Sequence, residues 1–244
     1  TSAMLCEKLA MLRPGVSIDH SHCHQSHLMG LYPLDLHGAP GDRDMVNASI
    51  DRLILLGGGG WSGWSYTWAS MMAGRFGRIE LANHWLRMHV DHFMLPNTLH
   101  GNYDYRDAGV GAKGDAAMTL EAGFSAAAAI LELLLQSHGG LIRVFPSCLP
   151  RWADARFINL RAEGAFVVCA DMKDHEVRRI DIESEAGETC RAVNPFGGPC
   201  TLTDQATGKT RQLRGSVLKF ATRRGGRYRL TPGKAPKAAI SLPP

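Results

Sequence analysis

The run LEAGFSAAAAILELLLQSHGGLIRVF, residues 120–145, holds the change of architecture on which the fold turns. Its first half sets Leu120, Phe124, Ala127, Leu131 and Leu134 three or four residues apart, the spacing of one helix face. The Gly139–Gly140 pair predicts the helix end, because a left-handed cap needs no side chain. Past it, Leu141 to Phe145 is an apolar run of strand length. The chain therefore reads as helices first and strands after, changing near residue 140.

Working upstream, Leu81, Trp85, Met88 and His92 form a second helical stripe, with Leu86, Val90 and Phe93 beside it. Further helices are expected over Asp42 to Leu56 and Ser65 to Arg75. The connections are rich in glycine and aromatics: Gly57 to Gly60 leads into Trp61, Gly63 and Trp64. Asn97 to Gly114 is an eighteen-residue stretch with Tyr103 and Tyr105, long enough in a compact domain to call for binding as its reason. Downstream, Ala165 to Met172 and Val177 to Ser184 read as strands about a Lys173-Asp174-His175 turn. Val217 to Thr222 and Arg227 to Leu230 flank Gly225–Gly226, a hairpin signal. Short strands joined by turns argue for an antiparallel, sandwich-like β domain. The expected division is a helical domain over 1–140, the β domain over 141–232 and a loose tail over 233–244.

A net charge of +4 spread over both halves is too weak a field for nucleic acid. The basic stretch Arg211 to Arg229 alternates with apolar residues, as the polar face of strands does. The longest apolar run, Ala126 to Leu135, carries Glu132 and is too short to span a bilayer. No basic leader with an apolar core is visible, and the chain starts at Thr1, which fits a processed or trimmed product. Six cysteines without a CxxC pair argue against a disulfide framework or zinc knuckle.

The densest concentration of chemistry is the run from His20 through His22, Cys23 and His24 to His27. Neutral imidazoles are common zinc or copper ligands, so a metal is one reading. The spacing weakens it: His20, His22 and His24 alternate as on a strand, while His24 and His27 would share a helix face. Histidines satisfied by hydrogen bonds at a helix start are a second reading, and recognition of sugar hydroxyls is a third. Trp61 and Trp64, beside a glycine turn, suit stacking on the apolar face of a sugar ring; Trp68 fits stacking and core packing equally well.

A resemblance favours the third. His22 to Pro33 is similar to the His-x-His-x-Ser-His-Leu-Tyr-Gly-Leu-Tyr-Pro segment of glycoside hydrolase family 95, which holds α-L-fucosidases and α-L-galactosidases. Gly60 to Trp68 resembles that family's Gly-Thr-Gly-Trp-Ser-x-x-Trp, and Glu121-Ala-Gly-Phe124 stands where it has Asp-Gly-Asn-Phe. Leu133 to Pro150 and Leu160 to Phe166 resemble the family's next two segments, the second of which opens its C-terminal β domain. The blocks come in the family's order.

The resemblance implies the last helices of an (α/α)6 toroid followed by a β domain, and an inverting hydrolase acting on an α-linked, L-fucose-like residue. It implies that His22, His24 and His27 position substrate hydroxyls, that Trp61 and Trp64 stack on the sugar, and that Glu121 serves the water side of the reaction. Glu for Asp lengthens that arm by one methylene, and Gly123 stands where the family has Asn. The family's general acid lies upstream of the histidine block, so the chain alone is expected to be inactive. No cofactor and no metal is expected, the partner is a carbohydrate, and family analogy suggests a secreted or periplasmic setting. The rival readings are a non-catalytic carbohydrate-binding or scaffold module and a metalloprotein built on the histidines.

Overall fold

A computed structural model describes residues 9–11, 15–37, 42–148 and 151–233. They fall into two units, Thr1–Leu134 with Pro146–Leu149, and Leu135–Phe145 with Pro150–Pro244. Most of the expected tail, from residue 234 on, lies outside the described residues.

Four helices build the first unit: α1 (Arg43–Leu56), α2 (Gly63–Arg75), α3 (Ile79–Phe93) and α4 (Glu121–Leu134). A 3-10 turn, Ser26–Leu28, precedes them, and two short strands, β1 (His100–Gly101) and β2 (Met118–Thr119), pair antiparallel. Helix α2 is buried from Ser65 to Gly74, the mark of a central helix. It starts two residues ahead of the expected Ser65, where the Ser65 hydroxyl accepts a hydrogen bond from the Ser62 amide at 3.1 Å. Its small residues let neighbours come close. The Ser70 hydroxyl donates to the Ala82 carbonyl of α3 at 2.6 Å, and Thr67 donates to the Ser125 hydroxyl of α4 at 2.7 Å. A Cβ on Gly74 would stand 3.1 Å from Leu133. Arg75 and Glu132 close the same interface with an ion pair at 2.8 Å, almost out of water.

The buried face of α4 is Ala122, Ser125, Ala129 and Leu133, not the expected stripe. Leu120, Phe124 and Leu131 face out, Phe124 at 70% exposure. The helix also ends at Leu134, ahead of the expected cap. Gly139 and Gly140, at φ 60° and 68°, are instead the two-residue turn of a hairpin joining β3 (Leu135–His138) and β4 (Leu141–Val144). Positive φ at both central residues suits the twist of paired strands.

The second unit holds two sheets. One has six strands in the order β10-β9-β12-β7-β6-β5, the other four in the order β11-β8-β4-β3. The remaining strands are β5 (Ala155–Ala162), β6 (Phe166–Lys173), β7 (Glu176–Ser184), β8 (Cys190–Val193), β9 (Cys200–Asp204), β10 (Thr210–Leu213), β11 (Val217–Phe220) and β12 (Gly226–Pro232). Alternation fixes the inner face: Phe166, Val168, Ala170 and Met172 of β6 are buried, and so are Ile180 and Ile182 of β7. Phe220 of one sheet meets Tyr228 of the other with ring centroids 5.5 Å apart, joining the two inner faces.

Two strand expectations are corrected. β11 and β12 do not form a hairpin: β11 pairs with β8, while β12 lies between β7 and β9 in the other sheet. Gly225, at φ 72°, gives its amide to the Ser184 carbonyl and turns the chain between sheets. The sheets are also not wholly antiparallel, since β4 and β8 run parallel. On the outer face a row of charge alternates from Arg156 through Asp171, Arg179 and Asp181 to Arg229.

Candidate functional site

The histidine run is fastened to the head of α2 by the serines and glycines around it. The Ser21 hydroxyl donates to the Gly57 carbonyl at 2.7 Å and accepts from the Gly60 amide at 2.8 Å. A Cβ on Gly60 would stand 2.4 Å from the Ser21 carbonyl oxygen, so only glycine permits this approach. Ser65 of α2 donates to the Cys23 carbonyl at 2.6 Å. The result is a His22–His24 segment, bent at Cys23, held over the first turn of α2, where Trp64 is half-buried.

From the opposite side come β2 and the start of α4, which carry Thr119 and Glu121. The long connection between α3 and α4 is ordered by Asp104, a buried carboxylate that no sequence motif marks. It accepts from the Ala108 amide at 3.1 Å and the Val110 amide at 3.0 Å. Burial pushes the Asp104 carboxyl up, but the amides of residues 108–111 together hold it below the usual carboxylate range. Tyr66 of α2 closes the loop by donating to the Val110 carbonyl at 2.5 Å. Burial first, and then Asp104, push that phenol up to about 12.

These segments enclose a cleft of about 410 Å³, within the size range of small-molecule sites. His24, Trp64, Asn102, Tyr103 and Glu121 line it, joined by Ser62, Thr119 and Cys23. An indole face, an imidazole, an amide, a phenol and a carboxylate are what a polyhydroxylated ring calls for. Beneath the floor His100 accepts from or donates to Thr119 Oγ1 at 2.8 Å through Nδ1, while its Nε2 has no partner. The ring of fully buried His89 lies 5.3 Å away, with neither nitrogen partnered. Burial, and second the neighbouring His100, draw His89 down to about 4.

Residues 14–134 match the family model of the glycosyl hydrolase family 95 catalytic domain, and residues 136–230 that of the family 95 C-terminal domain. The chain belongs to glycoside hydrolase family 95. Family 95 membership accounts for the order of a helical portion followed by a β domain. No curated protein matches the chain. Among solved structures it is similar to a GH127 beta-L-arabinofuranosidase from Geobacillus stearothermophilus T6, at 8% identity and a TM-score of 0.32. That overlap covers 78% of this chain and 39% of the other, and it bears on neither fold nor chemistry here.

Of the residues singled out by the family 95 resemblance, His24, Trp64 and Glu121 meet in the cleft. The exposed ring of His22 lies 5.8 Å from that of His24, just outside the lining. His27 comes next on the 3-10 turn, half-buried, with Nδ1 unpartnered and its basicity lowered by burial. Trp61 is a correction: it is 2% exposed, with Tyr66 at 4.8 Å and Trp85 at 5.8 Å against its ring. It packs the core and has no face free for a sugar. Trp68 is also core, donating Nε1 to the Tyr32 carbonyl at 3.1 Å. Asn102 carries no signal of its own in the sequence, although the Asn97–Gly114 stretch around it reads as a binding loop.

Proposed function

We propose that this chain is the closing part of an (α/α)6 catalytic toroid with its β domain, from an inverting hydrolase that removes an α-linked, L-fucose-like residue from glycans. The observation that carries the reading is the convergence of His24, Trp64 and Glu121, far apart in sequence, on one cleft. Trp64 stacks on the apolar face of the sugar. His24, with His22 and His27 along the same segment, holds ring hydroxyls, and Asn102 and Tyr103 bond those on the far side.

Inversion uses two carboxyl groups on opposite faces of the sugar, about 6.5–9.5 Å apart, with water between the base and the anomeric carbon. Glu121 takes the base side. It draws a proton from that water as the oxygen attacks, while the glycosidic bond breaks and the leaving oxygen is protonated from the other face. Among the described lining residues Glu121 is the single carboxylate, so the acid is supplied by another part of the toroid. Hydrolysis belongs to the assembled barrel, and sugar binding to this cleft.

The test pairs two variants. Titration with L-fucose and with a fucosylated oligosaccharide is followed by calorimetry on this chain, and hydrolysis is measured on the longest protein that carries it. Trp64→Ala is expected to weaken binding at least tenfold. Glu121→Gln is expected to keep binding and abolish hydrolysis with inversion. Hydrolysis unchanged by Glu121→Gln, with binding lost in Trp64→Ala, would favour a carbohydrate-binding module. Binding indifferent to Trp64 would end the saccharide reading of this cleft.

A further inference from the structure

We propose that His22, Cys23 and His24 form a binding site for a zinc-like divalent metal at the rim of the cleft, with a fourth position open to solvent. One ligand atom from each of the three lies within 4.8 Å of the others, and His22 and His24 are exposed. The proposal is independent of the saccharide reading and concerns an ion that reading does not use.

The ligand chemistry is borderline-soft: two imidazole nitrogens and one thiol suit zinc better than magnesium or calcium, which take oxygen. The spacing is close to what the ion needs. Tetrahedral zinc stands about 2.3 Å from sulfur and about 2.0 Å from nitrogen, which sets two such ligand atoms about 3.5 Å apart. Cys23 Sγ and His24 Nδ1 are at 3.0 Å, so a side-chain opening of about half an ångström admits the ion. The thiol proton leaves for solvent on binding, so one proton is released per metal bound.

His22 reaches the role by a change of tautomer. Its Nδ1 accepts from the His24 amide at 3.0 Å, which puts the ring proton on Nε2, and lies 3.2 Å from the His24 carbonyl oxygen. Moving that proton to Nδ1 lets the ring donate to the carbonyl and bares Nε2 for the ion. Metal-ligating histidines are held in this way, by a second hydrogen bond to a carbonyl or carboxylate. The backbone beneath is fixed by Ser65, which donates to the Cys23 carbonyl, so the three ligands start from an ordered segment. His20, whose Nδ1 pairs with Asp19 at 2.7 Å, stays outside the set because it does not fall in the cluster of ligand atoms within 4.8 Å of one another.

Because His24 lines the cleft and His22 lies beside it, metal and saccharide draw on the same two imidazoles. Zinc is therefore expected to weaken saccharide binding, and saccharide to weaken zinc binding by the same factor. The decisive experiment needs no sugar. Metal-free protein is titrated with zinc chloride by calorimetry, and with cobalt chloride by absorption, where a thiolate ligand gives a charge-transfer band. One metal per chain and a thiolate–cobalt band are expected. Cys23→Ser should remove the band and weaken zinc at least tenfold, His22→Ala should weaken zinc comparably, and His84→Ala, on the exposed side of α3, should change neither. Equal zinc affinity in wild type and Cys23→Ser, or no zinc binding up to about 1 mM (about −4 kcal/mol), would overturn the site. Circular dichroism of each variant separates lost ligation from lost folding.

Discussion

His89 gives the helical unit an acid limit that can be measured against a single substitution. Its side chain is fully buried, neither ring nitrogen is partnered, and its pKa falls from 6.5 to about 4, through burial and then His100. The folded protein therefore resists protonating this ring, while the unfolded chain accepts a proton near pH 6.5. The stability due to the neutral ring is complete above that pH and is lost progressively as pH falls toward about 4, where the folded state protonates too. At pH 4.5 the difference is about two pH units, or about 2–3 kcal/mol at 1.36 kcal/mol per unit. That is a large part of the 5–15 kcal/mol typical of a domain. His89→Leu removes the titration, and the Gly63 amide beside the ring keeps its bond to the Asn102 carbonyl at 3.4 Å. Urea unfolding followed by tryptophan fluorescence reports chiefly on this unit, since four of the five tryptophans, Trp61, Trp64, Trp68 and Trp85, lie in it and only Trp152 in the other. The gap between wild type and variant is expected to shift by about 2–3 kcal/mol toward the variant between pH 7.5 and 4.5. Parallel pH curves would refute the argument, because the carboxylates titrate in both proteins and cancel.

The same unit supplies two further outcomes. Asp104→Ala removes the acceptor for the amides of residues 108–111 and is expected to expose the connection between α3 and α4 to limited proteolysis. In the wild type that protection holds above the ordinary carboxylate range and is lost only as pH falls through the lowered pKa of Asp104, so the cut should appear at acid pH as well. Gly123→Ala, where a Cβ meets nothing within 4 Å on an exposed part of α4, is expected to stabilise by about 0.5–1 kcal/mol in thermal unfolding.

What the sequence made legible depended on how each face is buried. All four helices are foretold, α3 and α4 by their spacing, but the core side of those two is only partly so. On α4, the residues against α2 are Ala122, Ser125 and Ala129, which bury by letting backbones approach and add little apolar weight to a pattern. The larger Leu120, Phe124 and Leu131 dominate the periodicity yet face outward. On α3 the buried face runs through Ala82, Asn83, Trp85, Leu86, His89 and Phe93, which includes the expected Trp85, Leu86 and Phe93 but replaces Leu81, Met88 and His92 by their neighbours. A histidine at the centre of that face carries no hydrophobic signal. Glycine pairs mislead in the same way. Gly139–Gly140 fits a helix cap and a hairpin equally well, and Gly225–Gly226 looks like a hairpin although its flanking strands belong to different sheets. In the cleft, His24, Trp64 and Glu121 are legible because their residue types announce their chemistry. Asn102 and Asp104 are not, since an amide and a carboxylate in a loop acquire a role only from the groups that fold around them.

The charged row on the outer face of the six-stranded sheet constrains how this domain can diverge. Asp171 is shared by Arg156 and Arg179, and Asp181 by Arg179 and Arg229. Losing either acid strands one terminal guanidinium and halves the pairing of Arg179, whereas losing a terminal arginine leaves every acid with a partner. Changes along the row should therefore spread inward from Arg156 and Arg229, or arrive as compensated pairs. Across relatives, positions 171, 179 and 181 should vary as one character rather than three.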